Sequence, residues 1–157
     1  MKQETKNIII NILITVLGIG IVAGLSTLFT NTNTSWYLSL RKPLELIPEF
    51  VFPIIWSIIY IIAGLFIFFS LQNHTLNRTL TILLIINGIL NILWCLVFFT
   101  LSQLLIGLIV IVINLICAYL LVSEMLKDNK LFGYMLVIYP VWLSLATCLN
   151  LALWILN

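Results

Sequence analysis

Long apolar runs, each closed by charged or turn-forming residues, divide the chain into five segments: residues 8–29, 53–71, 80–101, 104–125 and 131–156. The runs lack the two-residue alternation and the short length of strands in a membrane barrel, so they predict α-helices. A hydrocarbon layer of about 30 Å is crossed by about 20 helical residues, which each run supplies. In lipid the backbone can satisfy its own polar groups only as a helix or a closed barrel. The expected fold is therefore all-α, a single domain over residues 1–157 made of a five-transmembrane-helix bundle.

The connections differ in kind. Residues 72–79 form a compact polar loop, Ser102 and Gln103 a tight turn, and residues 127–130 a charged turn. Residues 31–52 are the long exception, with Trp36, Tyr37, Pro43 and Pro48 inside them. A long connection in a compact chain usually serves as a lid or is disordered, and the aromatic and proline content here predicts an ordered cover.

Composition makes lipid the main solvent. Of 157 residues, 63% are hydrophobic and 8% charged, against about 25% charged in an ordinary soluble domain. The net charge of +2 comes from residues scattered at segment ends, with no basic stripe to neutralise phosphates, which argues against nucleic acid as a partner. Cys95, Cys117 and Cys148 all fall in apolar runs without metal-ligand spacing and read as small buried hydrophobes. The first segment follows Lys2 and Lys6 and ends near Ala23 and Gly24. It is longer than the 7–15 apolar residues typical of a cleaved signal, so it is read as a retained helix. Lys2, Lys6, Arg78, Lys127 and Lys130 fall on one side of the membrane and only Arg41 and Lys42 on the other, which predicts a cytoplasmic N-terminus.

Helical spacing marks one face on three of the segments. Asn87, Asn91, Trp94 and Phe98 step by four, three and four residues along the third. Trp56, Tyr60 and the small pair Ala63 and Gly64 repeat the pattern on the second, and Tyr139, Trp142, Ala146 and Asn150 on the fifth. Indole rings offer flat contact area with one donor each, and amides in hydrocarbon need partners from another helix or a bound molecule. Three such stripes could line a pocket for a flat, mostly apolar ligand, of which a tetrapyrrole is one shape. The competing reading is packing alone: an asparagine in a membrane helix is commonly an interhelical bond, and Trp36 and Trp154, near segment ends, read as interfacial anchors. Asn114 reads as a packing amide, and Gly20 with Gly24 as a short close-packing step on the first helix.

Several chemistries have no residues to run on. No Asp, Glu, Lys or Arg falls at mid-membrane depth, Glu124 being the nearest, and proton-coupled transporters usually need one. There is no hydrolytic triad, no paired core carboxylate and no phosphate-binding glycine loop. His74, in a polar loop, has no companion ligand, so no metal site is expected.

The motifs Trp36-Tyr37-x-x-Leu40-x-Lys42-Pro43 and Pro53-x-x-Trp56-x-x-x-Tyr60-x-x-x-Gly64 closely resemble the translocator protein family, also called tryptophan-rich sensory proteins or peripheral benzodiazepine receptors (TspO/MBR). Leu90-Asn91-x-x-Trp94, Phe98-Phe99 and Gln103 fall in the family's register, as do Tyr139, Trp142 and Leu149-Asn150, so the resemblance covers nearly the whole chain. It implies a five-helix bundle, commonly a homodimer, that binds porphyrins such as protoporphyrin IX and haem and synthetic ligands of the benzodiazepine-receptor class. Carried over by residue, the ligand site would use Tyr37 from the lid, Trp56 and Tyr60, then Asn91, Trp94 and Phe98, then Trp142 and Ala146. By the same resemblance Trp56 and Asn91 would be polar contacts to the ligand. Trp56 and Trp142 would be the candidates for light-dependent porphyrin breakdown. No obligatory cofactor is implied, porphyrin or haem entering as ligand.

The chain departs from the family in places. After Pro43 it reads Leu44-Glu45-Leu46-Ile47-Pro48 in place of a tryptophan and a double proline, and is one residue shorter before Pro53. The family's proline before Tyr139 is Ile138 here, with Pro140 just after, which should move a kink by about half a turn. The tyrosine and basic residue of the animal sterol motif are missing after Asn150. That argues against cholesterol and for a bacterial cell membrane. The leading expectation is a porphyrin-binding receptor or sensor. Light-dependent porphyrin degradation, which would make the protein an enzyme, and facilitated transport of tetrapyrroles or other amphiphiles stay open beside it.

Overall fold

The computed structural model describes residues 2–42, 48 and 50–157. Among the described residues seven α-helices follow one another: α1 (Lys2–Phe29), α2 (Ser35–Ser39), α3 (Val51–Gln72), α4 (Arg78–Cys95), α5 (Leu104–Asp128), α6 (Lys130–Leu136) and α7 (Ile138–Leu156). A turn of π-helix, Leu96–Thr100, continues α4. Five helical stretches are long and apolar enough to cross a membrane, namely α1, α3, α4 with the π turn, α5, and α6 with α7.

Local chemistry sets the ends. The Asn77 side chain accepts from Leu80 N at 2.9 Å and opens α4. Asn129 accepts from Leu131 N at 3.1 Å and opens α6, so each helix start recovers an N–H that would otherwise be orphaned. α1 begins at Lys2 rather than at residue 8, because Lys, Gln and Glu propagate a helix well outside the apolar run. The last span breaks at Val137. Pro140 has no N–H for the Leu136 carbonyl, so the ladder cannot pass that point unbroken.

The long connection carries α2, capped by Thr34, whose side chain accepts from Tyr37 N at 3.2 Å. The departure from the family pattern at Leu44 to Ile47 lies outside the described residues.

The spans pack in a closed order: α1 against α3 and α4, α4 against α5, α5 against α6 and α7, and α6 and α7 back against α3. The outer surface is aliphatic, with Val16 61% and Ile61 62% exposed, as lipid-facing positions should be. α1 is seated through small residues on its neighbours. A Cβ on Gly64 would lie 3.7 Å from Ile19 Cγ1, and one on Gly88 would lie 2.9 Å from Val22 Cγ2. Gly20 and Gly24, expected as a close-packing step, face outward with nothing within 4 Å of a Cβ built on them. Cys148 is likewise exposed rather than buried, while Cys95 and Cys117 are buried.

Each end of the bundle is tied together. At one end Thr100 Oγ1 donates to Phe29 O at 3.0 Å. There too Arg41 N donates to Asn157 Oδ1 at 2.9 Å, and Asn157 Nδ2 donates back to Arg41 O at 3.2 Å. At the other, Asn11 bonds Gln72 and Thr75 Oγ1 donates to Asp128 Oδ2 at 3.3 Å. His74 sits exposed in that second end with φ 55°.

Candidate functional site

The marked stripes of α3, α4 and α7 all turn inward. Asn87 and Asn91, one turn apart on α4, are buried and meet Asn114 of α5 and Tyr139 of α7. Asn87 Nδ2 donates to Asn114 Oδ1 at 2.8 Å, and Asn114 Nδ2 to Asn91 Oδ1 at 3.2 Å. Asn91 Nδ2 donates to Tyr139 OH at 2.8 Å and to Asn87 O at 3.1 Å, and Tyr139 OH donates to Asn87 Oδ1 at 3.0 Å. In hydrocarbon such bonds are each worth about 0.6–2 kcal/mol, and here they fasten three helices at one level. Both amide hydrogens of Asn91 are thus engaged within the protein, leaving its oxygen able to accept once more. Asn114, read from the sequence as a packing amide, is one corner of this network.

Around the network lie the rings. Trp56 stacks on Tyr60, centroids 5.7 Å apart at 28°, and meets the edge of Tyr139 at 6.1 Å. Because the network holds the Tyr139 hydroxyl, that ring is fixed against Trp56. Trp142 meets Phe52 of α3 edge-on at 5.1 Å, and Ala146 is buried one turn further along α7. Trp56, Trp94, Tyr139, Trp142 and Ala146 belong to one apolar cluster.

The indole donors differ in their fates. Trp94 Nε1 donates to Asn150 Oδ1 at 3.1 Å, and Asn150 Nδ2 donates to Leu104 O at 3.0 Å. Trp142 Nε1 is buried and meets no acceptor, and leaving such a donor unsatisfied costs about 1–3 kcal/mol.

The lid closes one end of this arrangement. Trp36 sets its edge on Phe98 at 6.0 Å, and Tyr37 packs on Phe99 at 5.6 Å. Lys42 Nζ lies 4.5 Å above the Tyr37 ring. The two phenylalanines sit on the π turn, with Phe98 also stacked on Trp94 at 5.4 Å. The extra residue in such a turn re-aims the side chains beyond it, a feature common at functional sites. Beneath the lid, Leu101 N reaches Leu96 O at 2.9 Å and closes the widened turn.

Of the eight residues the sequence singled out, Trp56, Tyr60, Asn91, Trp142 and Ala146 converge around Tyr139 and Phe52. Trp94 and Phe98 form the part under the lid, and Tyr37 belongs to the lid itself, packed on Phe99. The sequence reading missed three contributors. Trp36, read as an interfacial anchor, is half-buried and packs on Phe98. Phe52 stands four residues before Trp56 and extends its stripe, a signal hidden by assigning residue 52 to the lid. Phe99 has no periodic signal, because the π turn shifts the register there. Among the described residues every Asp, Glu, Lys and Arg is exposed or half-buried near a helix end. The interior therefore offers ring faces and no charge, and the buried Trp142 N–H within it has no acceptor.

Comparison with known proteins follows the same residues. The model of the TspO/MBR family matches residues 11–155. The Tryptophan-rich protein TspO of Chlorobaculum tepidum is 31% identical over 133 residues, 82% of this chain and 84% of that one. The Tryptophan-rich protein TspO of Archaeoglobus fulgidus is 27% identical over 146 residues, covering 92% of this chain and 94% of its own. Protein CrtK of Rhodobacter capsulatus is 29% identical over 127 residues, 78% of this chain and 79% of that one.

Proposed function

The chain belongs to the TspO/MBR family, and from that membership together with its inward aromatic stripes we propose that it is a receptor or sensor for porphyrin-type molecules. It is an integral membrane protein with five spans. The ligand class is protoporphyrin IX, haem and similar flat apolar molecules, held between Trp56, Tyr60 and Trp142 beneath the lid. One observation carries this reading: rings from three separate helices meet in a charge-free interior, and among them Trp142 keeps an unanswered donor. Flat ring faces with few polar groups suit a flat, mostly apolar guest. The membrane is the bacterial cell membrane, with the N-terminus in the cytoplasm.

A second reading draws on the adjacency of oxidisable rings. Trp56, Tyr60 and Tyr139 are in mutual contact through Trp56, so a light-excited porphyrin beside them would have electron donors at hand. One experiment separates the readings. Purified protein in detergent is titrated with protoporphyrin IX in the dark and tryptophan quenching is followed, after which the sample is illuminated and porphyrin absorbance tracked. Saturable quenching without pigment loss supports the receptor. Light-dependent loss that Trp142→Phe abolishes supports the photochemical role, and quenching that never saturates refutes both.

A further inference from the structure

The bonds that cross between helices are unevenly shared. Asn87 Nδ2 donates to Asn114 Oδ1 at 2.8 Å and ties α4 to α5. Asn91 Nδ2 donates to Tyr139 OH at 2.8 Å and Trp94 Nε1 to Asn150 Oδ1 at 3.1 Å, tying α4 to α7. Asn150 Nδ2 donates to Leu104 O at 3.0 Å and ties α7 to α5. Among the described residues no hydrogen bond runs from α3 to α4, α5, α6 or α7. α3 meets α7 through ring edges instead, Phe52 on Trp142 at 5.1 Å and Trp56 on Tyr139 at 6.1 Å. Acyl chains can take the place of a ring contact, being as apolar as the ring, but they cannot answer a buried amide. α3 is therefore the wall of the aromatic site that parts from the others most easily.

The loose end of that wall is the one that carries the rings. Toward the polar turns, Gln72 bonds Asn11 of α1, and Phe66 and Phe69 pack on Phe132 of α6 at 6.0 and 5.9 Å. Ile59, Ile62 and Phe66 are buried along this stretch. Toward the first turn of α3, Val51, Phe52, Ile55 and Trp56 are only half-buried. α1 does not brace α3 as it does α4. A Cβ on Gly64 of α3 would stand in ordinary contact, 3.7 Å from Ile19 Cγ1, whereas one on Gly88 of α4 would meet Val22 Cγ2 at 2.9 Å.

We propose that α3 is a lateral gate. It swings about its Gln72 end, the contacts of Phe52 with Trp142 and of Trp56 with Tyr139 part, and an apolar molecule dissolved in the bilayer enters the aromatic site sideways between α3 and α7. This rests on the ligand-binding reading above and gives it a route. A flat apolar molecule concentrates among the acyl chains before it meets the protein, so an opening onto lipid is reached without a return through water. The α7 side of the seam stays fixed, because the asparagines hold the Tyr139 hydroxyl. Phe52 is the moving part that shuts it.

Two measurements test the gate, both on the full chain in lipid nanodiscs. For the first, Cys95, Cys117 and Cys148 are replaced by alanine and spin labels are attached at outward positions. Ile54→Cys on α3 is paired with Val141→Cys on α7, and Ile89→Cys on α4 with Val141→Cys as the reference. Double electron–electron resonance should give a broader distance distribution for the α3–α7 pair than for the α4–α7 pair. Its tail to longer distances should grow in Phe52→Ala. For the second, protoporphyrin IX is supplied in the lipid and the rates of tryptophan quenching and recovery are followed. Phe52→Ala should speed both association and release about two- to tenfold, whereas loss of a ligand contact alone would speed release only. Asn157→Ala, which loosens the lid, should change neither rate. Should Phe52→Ala fold poorly, the distributions of the wild-type gate still decide. Equal widths for the two label pairs overturn the gate, and so does association quickened by Asn157→Ala but not by Phe52→Ala. In both cases saturable quenching leaves the receptor reading standing. Quenching that never saturates ends the receptor reading, and the label distances alone then decide whether α3 parts from α7.

Discussion

At the scale of single residues, the interior is organised by amides that satisfy one another. Asn114 both accepts from Asn87 and donates to Asn91. Asn114→Ala therefore leaves an Asn87 hydrogen and the Asn91 oxygen without these partners. The expected loss is about 1–3 kcal/mol, seen as a fall of several degrees in the thermal unfolding midpoint in detergent. Leu120→Ala, an outward position on the same helix with 54% exposure, should move the midpoint far less. Equal effects from the two would mean that the network holds nothing together. The stripes themselves were legible in the sequence, because polar and aromatic residues inside apolar runs stand out at helical spacing. The partner each would take was not. Nothing in the spacing of Asn91 says that its donors turn to Tyr139 and Asn87, since that depends on how far α7 and α4 are apart. The same holds for Trp94, whose N–H goes to Asn150 while that of Trp142 goes nowhere.

At the scale of elements, the number of spans could be read directly, because about 20 apolar residues can do little else in lipid. The interruptions were harder. Pro140 announced a break, and the missing N–H places it at Val137, but the π turn at Leu96–Thr100 has no proline or glycine to betray it. That turn matters because Phe98 and Phe99 on it receive Trp36 and Tyr37 of the lid. The lid is also held at its far end, where the Asn157 side chain makes a reciprocal pair of bonds with the Arg41 backbone. This pairing joins residues 116 apart in the sequence, which no local pattern reveals. Asn157→Ala should remove both bonds without touching the rings. Exposed hydrogen bonds contribute about 0.5–1.5 kcal/mol, so amide hydrogen exchange over residues 34–42 should quicken about two- to tenfold. Unchanged exchange there would mean that the ring contacts alone hold the lid down.

At the scale of the whole molecule, the five spans place the lid, the π turn and Asn157 at one end, and the turns at residues 73–77 and 129 at the other. The charges divide in the same way, with Lys2, Lys6, Arg78, Lys127 and Lys130 at the second end against Arg41 and Lys42 at the first. Basic residues in short connections are retained on the cytoplasmic side, which supports the proposed orientation, in which the lidded end faces away from the cytoplasm. The two lid cations do not reverse this, because they are outnumbered five to two by the opposite end. A reporter fused after Asn157 in a bacterial host should therefore be active as alkaline phosphatase and dark as a green fluorescent protein, and the same reporters fused before Lys2 should show the reverse. The consequence reaches the site itself. In the proposed orientation α2 closes the aromatic interior at the outer end and polar turns close it at the inner one, so a ligand entering past the lid would arrive from outside the cytoplasm. If the fusions report the opposite orientation, that route is reversed and the lid guards the cytoplasmic entrance.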